Sequence, residues 1–503
     1  MSFQTGKKGY NKMTIDEIVL IVYILALTVL MIFASHGFVM LFYHRKYGKH
    51  EHKNTENDDP VKLVTIQLPL YNELYVIERL IDSICEIDYP KEKLEIQVLD
   101  DSTDETVELV ARIVEEKQAL GFDIQHIRRE NRKGYKAGAL KEGLEYAKGE
   151  FIAIFDADFV PKKDFLQNTM KYFNNTNVGM VQTRWEHLNE DYSILTKIQA
   201  LALNGHFVIE QTVRNKAGFF INFNGTGGIW RKECIFDAGN WEADTLTEDL
   251  DLSYRAQLKG WKFIFLRDIT TPAELPSEMN ALKAQQFRWT KGAMETAKKL
   301  LPLVWKSDQP IRVKLQSTFH LTNNIVFPFI LLAGILNVPL IFIKNAGPYD
   351  QFFNFMSVFV IAFISSFMFY LYAQKDVHTD WRKKIALFPL FMAGSMGFAV
   401  NNTRAVVEGL LSKKSEFVRT PKFKVEKKTD SLLANKYMEK TKVDPSAFVE
   451  MVLATYCFIG VGASIYFLEI AALPFQLMFF FGYASVSYLS LKNSFFKSKK
   501  AEN

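Results

Sequence analysis

Two kinds of apolar pattern alternate along this chain. Residues 18–43 contain no Asp, Glu, Lys or Arg over 26 positions, enough for one helix through a hydrocarbon core of about 30 Å. A secretory signal has a shorter apolar core of about 7–15 residues and a small-residue cleavage site. Here His44, Arg45 and Lys46 follow at once, so the pattern predicts an uncleaved anchor. Residues 315–343 and 351–374 are equally free of formal charge and meet at a turn containing Gly347 and Pro348. Residues 451–491 carry only Glu469, with Pro474 nearby, and predict a helical hairpin. Residues 385–403 are uncharged but hold Pro389, Gly394, Gly397, Asn401 and Asn402. The loop 408–444 beyond them carries ten Lys and Arg, and such loops prefer the cytoplasmic side. A span at 385–403 would put that loop outside. An interfacial or re-entrant segment keeps residues 44–314, the loop and the basic C-terminal tail together on the cytoplasmic side, and is the reading adopted.

Between about 60 and 300 the period changes. Residues 63–69, 94–100 and 151–155 are short and strand-like, while 73–85, 105–117 and 136–148 are amphipathic and helical. Alternating strands and helices predict an α/β domain with a mainly parallel sheet. Its ligands bind beyond the carboxyl ends of the strands.

Composition adds exclusions. Hydrophobic residues make up 48% and Phe alone numbers 43, which excludes a disordered or collagen-like chain. A net charge of +5 over 503 residues does not suggest a nucleic-acid partner. Cys85, Cys234 and Cys457 lie far apart without a CxxC, a pattern of neither a disulfide framework nor a structural zinc site, and one natural to a reducing compartment.

The predicted strand ends are rich in acid. Asp100 and Asp101 could accept from ribose or base, or simply belong to a helix cap with Ser102, Thr103 and Asp104. Asp156 and Asp158 share one side of an extended backbone, where two converging carboxylates suit Mg2+ or Mn2+; an ordinary turn is the bland alternative. Arg132, Lys133, Lys136 and Gly138 place cations at a helix start, where phosphate is favoured, although a plain basic loop reads the same way. The run Asn224-Gly225-Thr226-Gly227-Gly228 could let a ligand approach the backbone. Thr245 and Glu248 have capping-box spacing, which leaves Asp249 free for function. Gln285, Phe287, Arg288 and Trp289 sit on an amphipathic stretch just before the membrane segments.

In order, Pro69-Leu70-Tyr71-Asn72-Glu73, Asp100-Asp101, Asp156-Ala157-Asp158, Thr247-Glu248-Asp249 and Gln285-x-x-Arg288-Trp289 resemble the processive family 2 glycosyltransferases, which include cellulose, chitin and hyaluronan synthases. The match is strongest to the cellulose-synthase-like proteins of plants that make mannan and the xyloglucan backbone, and to their bacterial relatives. It covers roughly residues 60–310 and extends more weakly to Ser415–Lys422, similar to the family's gating loop. The resemblance implies a nucleotide-sugar-binding domain of GT-A type, residues 51–300, inserted between an N-terminal tail and anchor (1–50) and a C-terminal membrane region (301–503). It implies inverting transfer of a hexose from a UDP- or GDP-sugar to a growing β-linked glycan, exported through the protein's own helices in the cell membrane. By matching position, Pro69, Tyr71, Glu73, Asp100, Asp101, Lys136, Asp156, Gln285 and Arg288 hold the donor, and Asp156 and Asp158 hold the metal. Asp249 is the general base, and Gly227, Gly228, Glu248 and Trp289 serve the acceptor. Two departures stand out: Gly227, often alanine in the plant proteins, and Arg419-Thr420, usually Val-Thr. The alternative function is transfer of one sugar to a membrane lipid, as in ceramide glucosyltransferases. A non-catalytic scaffold would have lost one of Asp156, Asp158, Asp249 or Arg288, and all are present.

Overall fold

The computed structural model describes residues 13–48, 61–415, 417–430, 436–437 and 444–501. Glu416 and parts of the basic loop (431–435, 438–443) lie outside the described residues.

A seven-stranded sheet organises the middle of the chain. Its strands are β1 (Val64–Leu70), β2 (Leu94–Asp100), β3 (Asp123–Arg128), β4 (Phe151–Ile154), β5 (Val178–His187), β6 (Gly228–Arg231) and β7 (Lys262–Ala273). Their order is β3-β2-β1-β4-β6-β5-β7. All neighbours run parallel except β6, which opposes β4 and β5. The expected mainly parallel α/β domain is therefore present. Four strands, β3, β5, β6 and β7, were not read from the pattern.

β1 and β2 are buried almost throughout, as parallel strands covered on both faces must be. The helix Ile77–Cys85 turns Ile77, Leu80, Ile81 and Ile84 onto one face, and the helix Tyr135–Tyr146 turns Leu140 and Leu144 onto the other. The polar side chains inside β1 and β2 pair in register: Thr65 Oγ1 donates to Glu95 at 2.6 Å and Gln67 Nε2 to Gln97 at 3.0 Å. Buried donors matched in this way cost little and fix the register.

Among the described residues, four helices are long and apolar enough to cross a membrane: Ile15–Tyr47, Ile311–Ala346, Asp350–Val377 and Ser446–Tyr466. The first starts in a capping box of Thr14 and Glu17. After a turn containing Glu469, the helix Leu473–Ala501 folds back on Ser446–Tyr466, giving the expected hairpin. The ambiguous segment is a pair of helices, Trp381–Gly397 and Ala399–Leu410, bent by 49°. The helix Met279–Lys306 joins the sheet to this assembly. Its Lys283 is buried and reaches Glu450 at 2.8 Å and Ser446 at 2.7 Å on the membrane helix.

Candidate functional site

The carboxyl ends of β1, β2 and β4 open into one cleft, closed from above by residues 417–422. Neighbouring loops are knitted first. Asn72, in the left-handed region at φ 56°, donates its N–H to Ser102 Oγ at 2.8 Å and accepts from Thr103 N at 2.8 Å. This brings Tyr71 and Glu73 beside Asp101. Arg132 stacks 3.4 Å from the Tyr71 ring centroid, a flat cation–aromatic platform. Arg129 grips Asp101 with two nitrogens.

Beyond β4 the chain turns. β4 ends at Ile154, and Phe159 N donates to Asp156 O at 3.0 Å. Asp156 and Asp158 thus lie on a turn and not, as expected, on extended backbone. Both still line the cleft, and each meets an ammonium: Lys136 Nζ stands 2.5 Å from Asp156, and Lys422 Nζ 2.5 Å from Asp158. Lys136 also donates to Gly225 O at 2.8 Å. Burial pulls its pKa down, but Asp156 and Glu248 hold it above the ordinary lysine value. Two hard carboxylates already facing cations fit a divalent metal. Among the described residues the one trio of carboxylates close enough to share an ion lies elsewhere, at Glu242, Asp244 and Asp251. Lys299 already lies within 3 Å of all three.

The third wall comes from the helix Glu248–Leu258. Its expected capping box is not formed. Thr247 is the N-cap and makes no side-chain cap bond, and Thr245 Oγ1 is buried without a partner. The turn is instead seated on the helix Met279–Lys306. Glu295 accepts from Leu246 N at 2.9 Å, Thr296 bonds Thr247 at 3.2 Å, and an added Cβ at Gly292 would stand 2.6 Å from Thr247. Glu248 and Asp249 are thereby free to face the cleft. Burial, reinforced by the Glu248 carboxylate, pushes Asp249 up to about 7, and burial raises Glu248 as well. Gly225 lies against this acid: its φ is +80°, and a Cβ there would stand 3.1 Å from Asp249 Oδ2. The same long helix supplies Gln285, Arg288 and Trp289. Arg288 donates to Val418 O at 3.0 Å and stacks over Phe417.

Arg419 forms a two-pronged ion pair with Glu73, at 2.9 and 2.8 Å. Burial raises the Glu73 pKa even with Arg419 alongside.

Of the residues that the resemblance assigns to donor, metal, base or acceptor, the cleft gathers Pro69, Tyr71, Glu73, Asp101, Lys136, Asp156, Asp158, Glu248, Asp249, Gln285, Arg288 and Trp289. Three do not reach it. Asp100 points away into the sheet, 1% exposed, bonded to His126 at 2.9 Å and to Ser102 N at 2.8 Å. Adjacent strand residues face opposite sides, so only one of the two aspartates can serve the cleft. Gly227 and Gly228 lead into β6 behind it, and a Cβ on Gly228 would meet Val181 O at 2.7 Å. The small size of Gly228 serves sheet packing, and Gly227 takes up a left-handed turn at φ +69°. Arg419, Lys422, Trp185, His187 and Glu274 also line the cleft without having been assigned to the site: residues 415–422 were matched only as a gating loop, and strands β5 and β7 left no pattern to read.

Residues 60–292 match the family model described as glycosyltransferase-like family 2. Glucomannan 4-beta-mannosyltransferase 1 of Oryza sativa subsp. japonica is 43% identical over 256 residues, 49% of each chain. Glucomannan 4-beta-mannosyltransferase 2 of Arabidopsis thaliana is 41% identical over 273 residues, 52% of this chain and 51% of that one. This chain thus spans about half the length of the curated relatives it matches. Among solved structures, a mannosyltransferase from Pyrobaculum calidifontis, in complex with GDP-Man and Mn2+, has a similar fold. It matches with a TM-score of 0.55 at 21% identity, over 79% of this chain and all of that one.

Proposed function

We propose that this chain, whose residues 60–292 form a family 2 glycosyltransferase domain, transfers a hexose with inversion from a nucleotide-diphosphate sugar to the end of a β-linked polysaccharide. The observation that carries this reading is one acid, Asp249, poised at about 7 in the same cleft as Lys136 and Arg288. Inversion needs one base on the acceptor side and no covalent intermediate, and a base with pKa near working pH is the effective one. Asp249 takes the proton of the acceptor hydroxyl as it attacks the anomeric carbon.

The departing diphosphate gains negative charge, which Lys136 and Arg288 stabilise in a largely desolvated site. Asp156 and Asp158 would hold Mg2+ or Mn2+, which supplies further charge neutralisation at that diphosphate. Tyr71, stacked by Arg132, and Glu73 and Asp101 form the nucleotide end. Trp289 and Glu248 serve the acceptor, and Gln285 lies with Arg288 at the diphosphate. We assign residues 51–300 to the cytoplasmic catalytic domain, with the anchor before it and the membrane region after it, in the cell membrane. The mannosyl specificity named for the relatives puts GDP-mannose first among donors, ahead of UDP-glucose and UDP-N-acetylglucosamine.

The test is incorporation from each labelled donor by membranes carrying the chain, followed by linkage analysis. Alkali-resistant polymer supports the proposal. A single lipid-extractable sugar replaces it with the glycolipid reading, and no incorporation from any donor rejects it.

A further inference from the structure

Part of the cleft lining is largely apolar and aromatic. There Trp185 and His187, two apart on β5 and so on one face of the strand, line the wall with Phe159, Leu203, Leu275 and Pro276. Trp185 is held edge-on against Phe159 at 5.3 Å. The backbone around His187 is fixed as well. Leu188 N donates to Ala273 O at 2.9 Å, and Asn189 makes a reciprocal pair of bonds with Leu275 at 2.8 and 2.9 Å.

His187 is the anomaly in this wall. Both ring nitrogens are buried, and neither has a hydrogen-bond partner among the described residues. Burial, with Arg184 next in weight, pushes its pKa down to about 3, so the ring is neutral at physiological pH. A neutral imidazole carries one N–H donor and one acceptor nitrogen. Buried polar groups in native structures are nearly always paired, and an orphan pair asks for a ligand. A diphosphate does not suit a neutral imidazole set among Trp, Phe, Leu and Pro. A sugar ring does: it offers an apolar face to an aromatic wall and hydroxyls that both donate and accept.

We propose that His187 is an acceptor-specificity residue, whose two ring nitrogens bond hydroxyls of a sugar unit of the bound glycan while Trp185 packs against that unit. This rests on the proposed glycan-extending function, but it can fail separately. His187 acts on the acceptor alone and takes no part in donor binding or proton removal.

The test uses the full-length chain in detergent or nanodiscs and β-1,4-mannohexaose as the probe. His187→Phe removes both polar atoms at similar volume. Acceptor affinity by calorimetry should fall about tenfold, as the loss of one to two neutral hydrogen bonds predicts. GDP affinity should stay within twofold, and the melting temperature should hold or rise, because two buried orphans disappear. His187→Gln keeps a donor and an acceptor and should recover most of the affinity. Where turnover is measured, KM for the hexaose rises and kcat holds. Unchanged hexaose affinity in His187→Phe, or no hexaose binding by the wild type, overturns the proposal. So does a parallel loss of GDP affinity and melting temperature, which would mark His187 as a packing residue. Wild-type transfer with an unaltered acceptor KM in the variant would sink this inference while leaving the proposed function standing.

Discussion

At the scale of single residues, the proposed chemistry depends most on Asp249. Its carboxyl, pushed up to about 7, must be ionised to accept a proton. Raising the pKa of an acid favours its protonated form, so the base is lost as pH falls. The rate at saturating donor should therefore rise with pH through about 7 and level off above it, and a flat profile from pH 5.5 to 8.5 would speak against this base. Asn keeps the shape without the basicity, so Asp249→Asn should lower turnover by about 10²–10⁴-fold. Donor affinity measured by calorimetry should survive. Asp249 was legible because it sits in an ordered motif. The choice between Asp100 and Asp101 was not, since it depends on which way β2 presents its last residue. That is set by pairing with β1 and by His126 on β3, 26 positions away.

At the scale of elements, residues 417–422 form a strap across the cleft mouth, with 413–415 anchored beside it. Its ties are Lys291 to Ser415 at 2.5 Å, Arg288 to Val418, Arg419 to Glu73 and Lys422 to Asp158. Asp158 cannot serve both Lys422 and a metal through the same oxygen. Adding Mn2+ should therefore loosen the strap and speed tryptic cleavage after Arg419 and Lys422 severalfold. Identical cleavage with and without Mn2+ would count against Asp158 as a ligand. The sequence exposed the strap's basic composition but not its partners, because ion pairs between residues 346 apart leave no local pattern. The helix Glu248–Leu258 teaches the same lesson. Its start looked like a capping box, yet Glu295, Thr296 and the bare Gly292 of another helix hold that turn in place. Local spacing was overruled by packing.

At the scale of the whole molecule, the apolar runs were the most legible feature, since a charge-free stretch of twenty residues has few alternatives. The bend at 398 was harder to read: Gly397, Asn401 and Asn402 signal an interruption without saying on which side the chain emerges. The proposed topology puts the sheet domain and basic loop on the cytoplasmic side, so Cys placed at Ser415 should react with an impermeant thiol reagent only after permeabilisation. Labelling in intact cells would turn the bent pair into a full span. The assembly is also locked internally by Lys283 and Glu450, 1% and 0% exposed. Removing one partner of such a pair costs about 3–5 kcal/mol, whereas replacing both with apolar groups can be neutral. Glu450→Gln should lower the unfolding midpoint clearly, and Lys283→Met with Glu450→Leu should restore much of it.

That buried pair also sets a sequence of events during synthesis. Lys283 leaves the ribosome 167 residues ahead of Glu450, and two positions farther on the same helix stands Gln285, with Arg288 and Trp289 one turn beyond. Until the helix Ser446–Tyr466 has been made, the ammonium of Lys283 lacks the carboxylate it meets in the finished fold, while the far end of its helix already has Leu246 and Thr247 to pack against. The cleft is therefore lined in full only late in translation, because Arg419 and Lys422 also come after the sheet in the chain.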